Sequence, residues 1–99
     1  MQEQNNIDVL TGFFHVARND VRITSTHISL YFALFRYYVK NRMQNPFHIT
    51  RKAVMAYAKV SIATYHKCIV ELHKFGYISY FPSYHPAIGS TIILHTLNG

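Results

Sequence analysis

Ninety-nine residues, 49% hydrophobic and only 14% charged, suffice for one domain with a modest core and are too apolar for a disordered chain. The net charge of +6, from ten Lys and Arg against four Asp and Glu, points to a polyanionic partner. A single cysteine, Cys68, excludes an internal disulfide framework, and no apolar run approaches the length of a membrane span.

The N-terminal MQEQNN is polar, carries no secretory signal and reads as a flexible tail over residues 1–6. Residues 7–99 read as a single domain. Ile7–Val16, IDVLTGFFHV, is apolar but contains Gly12, so it suits either a short helix or an extended arm. It is too apolar to be left in water, so Phe13, Phe14 and Val16 must pack on something. Thr24, Ser25 and Thr26 offer N-caps for a first helix over about Thr26–Arg42. That helix carries one apolar stripe through Ile28, Tyr31, Phe32, Phe35, Tyr38 and Val39 and a second through Leu30, Leu34 and Tyr37. A helix apolar on most sides is covered on most sides, here by the N-terminal arm or by a partner chain. Asn41–Pro46 turns the chain, and Phe47-His48-Ile49 suits a brief strand.

Thr50 then caps a second helix, Arg51 to about Ala58, whose Val54, Tyr57 and Ala58 make an inward face. Lys59-Val60 is a turn. Ser61 caps a third helix, Ile62–Phe75, with Tyr65, Ile69 and Leu72 as its core stripe and Cys68 and Phe75 alongside. Gly76 fits the left-handed position that ends a helix. Tyr77–Phe81 alternates like a strand, Pro82–Gly89 is a proline- and glycine-bearing loop, and Thr91–His95 is β-branched. The expected fold is α+β and mostly helical: a helix-turn-helix over 51–75, a β-hairpin over 77–95 and an N-terminal apolar arm.

The run S-I-A-T-Y-H-K at 61–67, followed by E-L-H-K-F-G-Y-I at 71–78, resembles the bacterial winged helix-turn-helix transcriptional regulators. The likeness covers Ile49–His95, about half the chain. With YHPAIGS at 84–90, the whole sequence is similar to small single-domain regulators of bacterial genomes and mobile elements. The resemblance implies a three-helix core with a β-hairpin wing. It places Ser61, Ala63, Thr64, His66 and Lys67 on the groove-facing side of the third helix, and Arg51 and Lys52 against a phosphate. Elementary chemistry supports those roles. A helix N-terminus attracts phosphate oxygens. Thr64 and His66 can exchange hydrogen bonds with base edges, Ala63 can touch a thymine methyl, and Lys67 can reach either phosphate or guanine. The family's wing often carries Arg or Lys, but Pro82–Thr91 contains neither, which leaves Tyr84 and His85 as possible wing contacts.

The charge pattern agrees with this reading. Between Val21 and Val70 lie eight Lys or Arg and no Asp or Glu. Arg51 and Lys52 oppose the dipole of the helix they open, a mild cost that suggests an anion nearby. Bland readings stand beside these: Thr50 and Ser61 are caps whatever the function, Thr64 and Lys67 can be solvated residues, and His66 can pack beside Val70. Seven histidines include no H-x-x-x-H, C-x-x-C or HExxH spacing, so no metal is expected. His66, Cys68 and His73 share a helix but point different ways. The aromatic residues fall at core spacing, so base stacking on a single strand is a minor reading. No carboxylates pair and no glycine-rich phosphate loop occurs, so neither an enzyme nor a cofactor is expected.

The expected function is sequence-specific binding of double-stranded DNA, in transcriptional regulation by operator occupancy through the third helix. The chain is expected to act as a homodimer in a reducing, nucleoid-associated cytoplasmic setting, with no membrane contact and no small-molecule ligand. The alternatives are a winged-helix protein-interaction module and an accessory DNA-binding protein of a mobile element.

Overall fold

The structure, a computed structural model, describes residues 2–83, 85 and 89–97. In chain order its elements are α1 (Gln2–Ala17), α2 (Ser25–Lys40), β1 (Phe47–Ile49), α3 (Arg51–Ala58), α4 (Ile62–Lys74), β2 (Ile78–Phe81) and β3 (Ser90–Leu94). The class is α+β, with four helices and one three-stranded antiparallel sheet among the described residues.

The N-terminal segment is a 16-residue helix rather than a short helix or arm over 7–16, and it starts inside the stretch read as a tail. Gly12 does not break it. A Cβ at Gly12 would overlap the Leu97 carbonyl oxygen and sit 3.2 Å from its carbon, so glycine lets the segment after β3 cross α1 at backbone contact. Val9, Phe13 and Ala17, spaced four apart, form the buried stripe of α1. The Phe13 ring stacks on Tyr31 with 3.7 Å between centroids and meets Tyr77 edge-on at 5.4 Å. This helix is therefore part of the cover that the apolar excess of α2 requires.

Thr24 opens α2 through a reciprocal cap: its hydroxyl oxygen accepts from the His27 N–H, and His27 Nδ1 accepts from the Thr24 N–H at 3.0 Å. Leu30, Tyr31, Ala33, Leu34 and Tyr38 are buried, whereas Phe32 and Val39 stay 46% and 43% exposed. Coverage is thus extensive but incomplete. Leu34, Ile69, Leu72, Ile78 and Ile92 are fully buried, each contributing about 1.5–3 kcal/mol of hydrophobic stabilisation.

The sheet runs β1-β3-β2, with β3 in the centre. Phe47 pairs with Ile92, and Ile78 with Leu94. Beyond β1, the Asn45 side-chain amide bonds both the Leu94 carbonyl at 2.9 Å and the Leu94 N–H at 3.0 Å, extending the edge as a backbone would. His73 Nδ1 accepts the Tyr80 N–H at 3.1 Å on the β2 side.

Thr50 and Ser61 are the caps expected for α3 and α4, accepting from the N–H of Ala53 at 3.4 Å and of Thr64 at 3.3 Å. Lys59 takes the left-handed conformation at the turn between them, φ 61. Val54 and Ala58 are buried, but Tyr57 is 52% exposed. Its ring meets a cation instead, with the Arg36 guanidinium 4.4 Å from the Tyr57 ring centroid. Tyr65, Cys68, Ile69 and Leu72 form the buried stripe of α4, which stops at Gly76 with φ 90. The chain between α1 and α2 is fastened to this end of the molecule. Asp20 accepts from the Tyr77 hydroxyl at 2.8 Å and from Arg22 at 2.8 and 2.7 Å, and Arg22 lies over the Phe75 ring. Among the described residues no helix is long and apolar enough to cross a membrane.

Candidate nucleic-acid interface

The end of β1 and the start of α3 set the first wall of a groove. Ile49 is buried in the sheet, and Thr50 both closes the strand and caps the helix, so Arg51 and Lys52 fall in the exposed first turn. Tyr65 and His66 of α4 supply the second wall. Tyr80, Pro82, Ser83, His85, Gly89 and Ser90, from β2 to the start of β3, supply the third. Together they enclose about 560 Å³. Among the described residues no Asp or Glu lines this space, while Arg51, Lys52, His66 and His85 all do. Gly89 makes the closure possible: at φ 77 its Cα lies so near β1 that a Cβ would overlap the Ile49 carbonyl oxygen.

Tyr65 is 1% exposed. Burial pushes its hydroxyl well above the usual tyrosine range, neighbouring Tyr80 adds to this, and Arg51 opposes it. The phenol therefore stays protonated and remains a hydrogen-bond donor. Tyr37 reaches the Thr50 hydroxyl at 3.4 Å, which ties α2 to the same corner.

The outer face of α4 presents the other sequence-selected residues. Ser61, Ala63, His66 and Lys67 are exposed and Thr64 is half-buried. The Ser61 hydroxyl donates to Thr64 Oγ1 at 3.1 Å. Ser61 is thus spent locally, while the Thr64 hydroxyl proton stays free to donate. The His66 ring is edge-on to Tyr65, 5.2 Å between centroids. The fold brings Arg51, Lys52, His66 and His85 into one groove and leaves Ala63 and Lys67 on the adjoining helix face. Tyr84 lies outside the described residues.

Electrostatics sharpen the asymmetry. Asp20 is engaged with Arg22 and Tyr77, and Glu71 with His27. Among the described residues, Arg51, Lys52 and Lys67 have no carboxylate partner. Four of the seven histidines serve the fold. His27 and His73 bond as described above. His48 Nδ1 meets the Thr91 hydroxyl at 3.2 Å, and His95 bridges Ser79 at 2.7 Å and the Gly76 carbonyl at 2.8 Å.

One cluster was not visible in the sequence. His27, Cys68 and Glu71 place a ring nitrogen, a sulfur and a carboxylate oxygen within 4.8 Å of one another. Spacing exposed only half of it, since Cys68 and Glu71 stand three apart on one helix whereas His27 comes from α2. Both His27 nitrogens are occupied: the Thr24 N–H aimed at Nδ1 fixes the proton on Nε2, which donates to Glu71 at 2.8 Å. Burial, and then Glu71, push the Cys68 thiol up, so it stays protonated. The cluster reads as a buried polar tie between the start of α2 and α4.

Two residues of the α4 surface also escaped sequence selection. Ile62 and Val70 are 47% and 38% exposed on the outer face. Comparison with family models, curated proteins and solved structures found no match.

Proposed function

We propose that the chain is a winged helix-turn-helix domain that binds double-stranded DNA, with α4 in the major groove and the β2–β3 hairpin as the wing. The observation that carries this reading is the groove that α3, α4 and the hairpin share. Among the described residues it is lined by two cations and two histidines and by no carboxylate. A surface that concentrates donors and excludes acids is complementary to a phosphate backbone. The order β1, α3, α4, β2, β3, with β1 paired to β3, supports the winged-helix reading. Arg51, Lys52 and Lys67 hold phosphates, Ala63, Thr64 and His66 face base edges, and His85 reaches the backbone from the wing. Regulation by operator occupancy follows from such contacts.

A salt series tests the reading. Three phosphate-neutralising cations per protomer give a slope of about −2.7 in log K against log salt. Replacing Arg51, Lys52 and Lys67 with Gln is expected to flatten most of that slope. A variant that binds random duplex with the wild-type slope would contradict the assignment.

The same reading includes a homodimer. The Phe14 and Phe32 rings lie 5.6 Å apart on the outside of α1 and α2, 39% and 46% exposed, with Val39 two turns further along α2. A second copy meeting this strip would present two recognition helices to half-sites about one DNA turn apart. Sedimentation of wild type against Phe32→Ser tests it: a wild-type monomer at tens of micromolar would exclude the dimer.

A further inference from the structure

The inference concerns which bases α4 reads, and it rests on the DNA-binding function proposed above. The helix IATYHKCIVELHK contains no Arg, Asn or Gln, and of the side chains that pair with guanine or adenine it holds only Lys, of which Lys67 is assigned to a phosphate above. Its one acid, Glu71, is held by His27. With Lys67 on a phosphate, hydrogen-bonded readout falls to Thr64 and His66. What α4 offers instead is apolar. Ile62, in the first turn, is 47% exposed, and Ala63 beside it is exposed as well. Ile62, His66 and Val70 recur every four residues, so one exposed stripe runs along the helix with His66 facing the groove.

We infer that Ile62 and Ala63 form an apolar reading head for thymine methyl groups, so that the target site carries thymines opposite the N-terminal turn of α4. An apolar side chain has one complementary feature in the major groove, the C5 methyl of thymine. The N-terminal residues of a recognition helix are the ones that reach base edges. The surroundings of this head argue for DNA over an apolar protein partner. Lys67 follows one turn later, Arg51 and Lys52 share a groove with His66, and none of them has a carboxylate partner among the described residues. An exposed Ile beside unpaired cations fits a methyl flanked by phosphates.

The experiment removes only the methyl. Sites are selected from a random duplex library, and each thymine of the recovered consensus is replaced singly by deoxyuridine, with affinity read by fluorescence anisotropy. Wild type is expected to lose about fourfold at one or two thymines per half-site, the effect of one buried methyl. Ile62→Ala is expected to bind the methylated site more weakly by a similar factor and to become indifferent to deoxyuridine there. Tight binding with a flat deoxyuridine profile, or the same profile in both proteins, overturns the inference and leaves DNA binding standing. Absence of binding to any duplex at low salt overturns the function on which the inference rests.

Discussion

Replacing Gly12 with alanine should destabilise the protein, against the sign that helix propensity alone gives. In an open helix the change is worth a gain of about 1 kcal/mol. Here the new Cβ would overlap the Leu97 carbonyl oxygen and stand 3.2 Å from its carbon. The obstacle is backbone, so no rotamer change relieves it. Either α1 or the segment after β3 must move, and α1 is anchored one residue on by Phe13, fully buried and stacked on Tyr31. Overpacking of this kind costs about 1–3 kcal/mol. At its upper end it outweighs the propensity gain and leaves a net loss of about 1–2 kcal/mol. For a domain of this size that lowers the melting temperature by roughly 5–15 °C. Urea denaturation followed by circular dichroism measures it. A chain ending at His95 supplies the control, because without Leu97 the same substitution should recover its gain of about 1 kcal/mol. If Gly12→Ala stabilises the full-length chain, α1 does not dock against the C-terminal segment and the reason given for Gly12 is wrong.

Further expectations concern buried hydroxyls, pH and the hairpin. The Tyr31 hydroxyl is buried with no hydrogen-bond partner among the described residues, so Tyr31→Phe should be neutral or stabilise by about 1–2 kcal/mol in urea melts, and a clear loss would refute this. The hydrogen bonds from Arg22 hold the Asp20 carboxyl well below its ordinary 3.8, so its contribution is present above that pH and drains away below it. Asp20→Asn should lower the urea midpoint at neutral pH and flatten its fall in acid; parallel acid limbs in the two proteins would count against the clamp. Burial, then Asp20, push the Tyr77 hydroxyl from 10.0 up to about 12, so stability should decline as pH rises through that window. Tyr77→Phe should shrink that decline without abolishing it, because burial also pushes the Tyr31 and Tyr65 hydroxyls up, and denaturation alongside spectrophotometric titration can follow the difference. Gly89→Ala meets both a positive φ of 77 and the Ile49 carbonyl. It should cost about 1–3 kcal/mol and weaken DNA binding by pushing the hairpin off β1, whereas wild-type affinity would sever the groove from the function.

Local signals in the sequence were honoured where the chain answers to its near neighbours. Thr50, Ser61 and Gly76 cap or end their helices as their chemistry requires, and the four- and three-residue spacing of Tyr65, Ile69 and Leu72 marks the inner face of α4. The two hairpin strands fell within a residue or so of the alternating segments. What escaped notice depends on residues distant along the chain. Gly12 looks like a helix breaker until Leu97 is placed against it. Tyr57 fits an inward stripe by spacing, yet its ring lies outside, beside Arg36 of another helix. His27 has no helical partner in spacing because its partner, Glu71, lies across the interface between α2 and α4. For the candidate site, Arg51, Lys52 and His66 could be selected from position and type alone. That His85 joins them in one groove depends on the hairpin folding back over β1 at Gly89. The exposure of Ile62 is not legible in the sequence, because an apolar residue in a helix reads first as core.

The central claim is that α3, α4 and the hairpin form one DNA-binding surface, and an amide chemical-shift map of the protein titrated with duplex DNA tests it most directly. The expected result is a contiguous set of perturbed amides at 51–52, 61–67 and 85, fading as salt is raised. Perturbations confined to α1 and the outer face of α2, or none at low salt, would contradict the account.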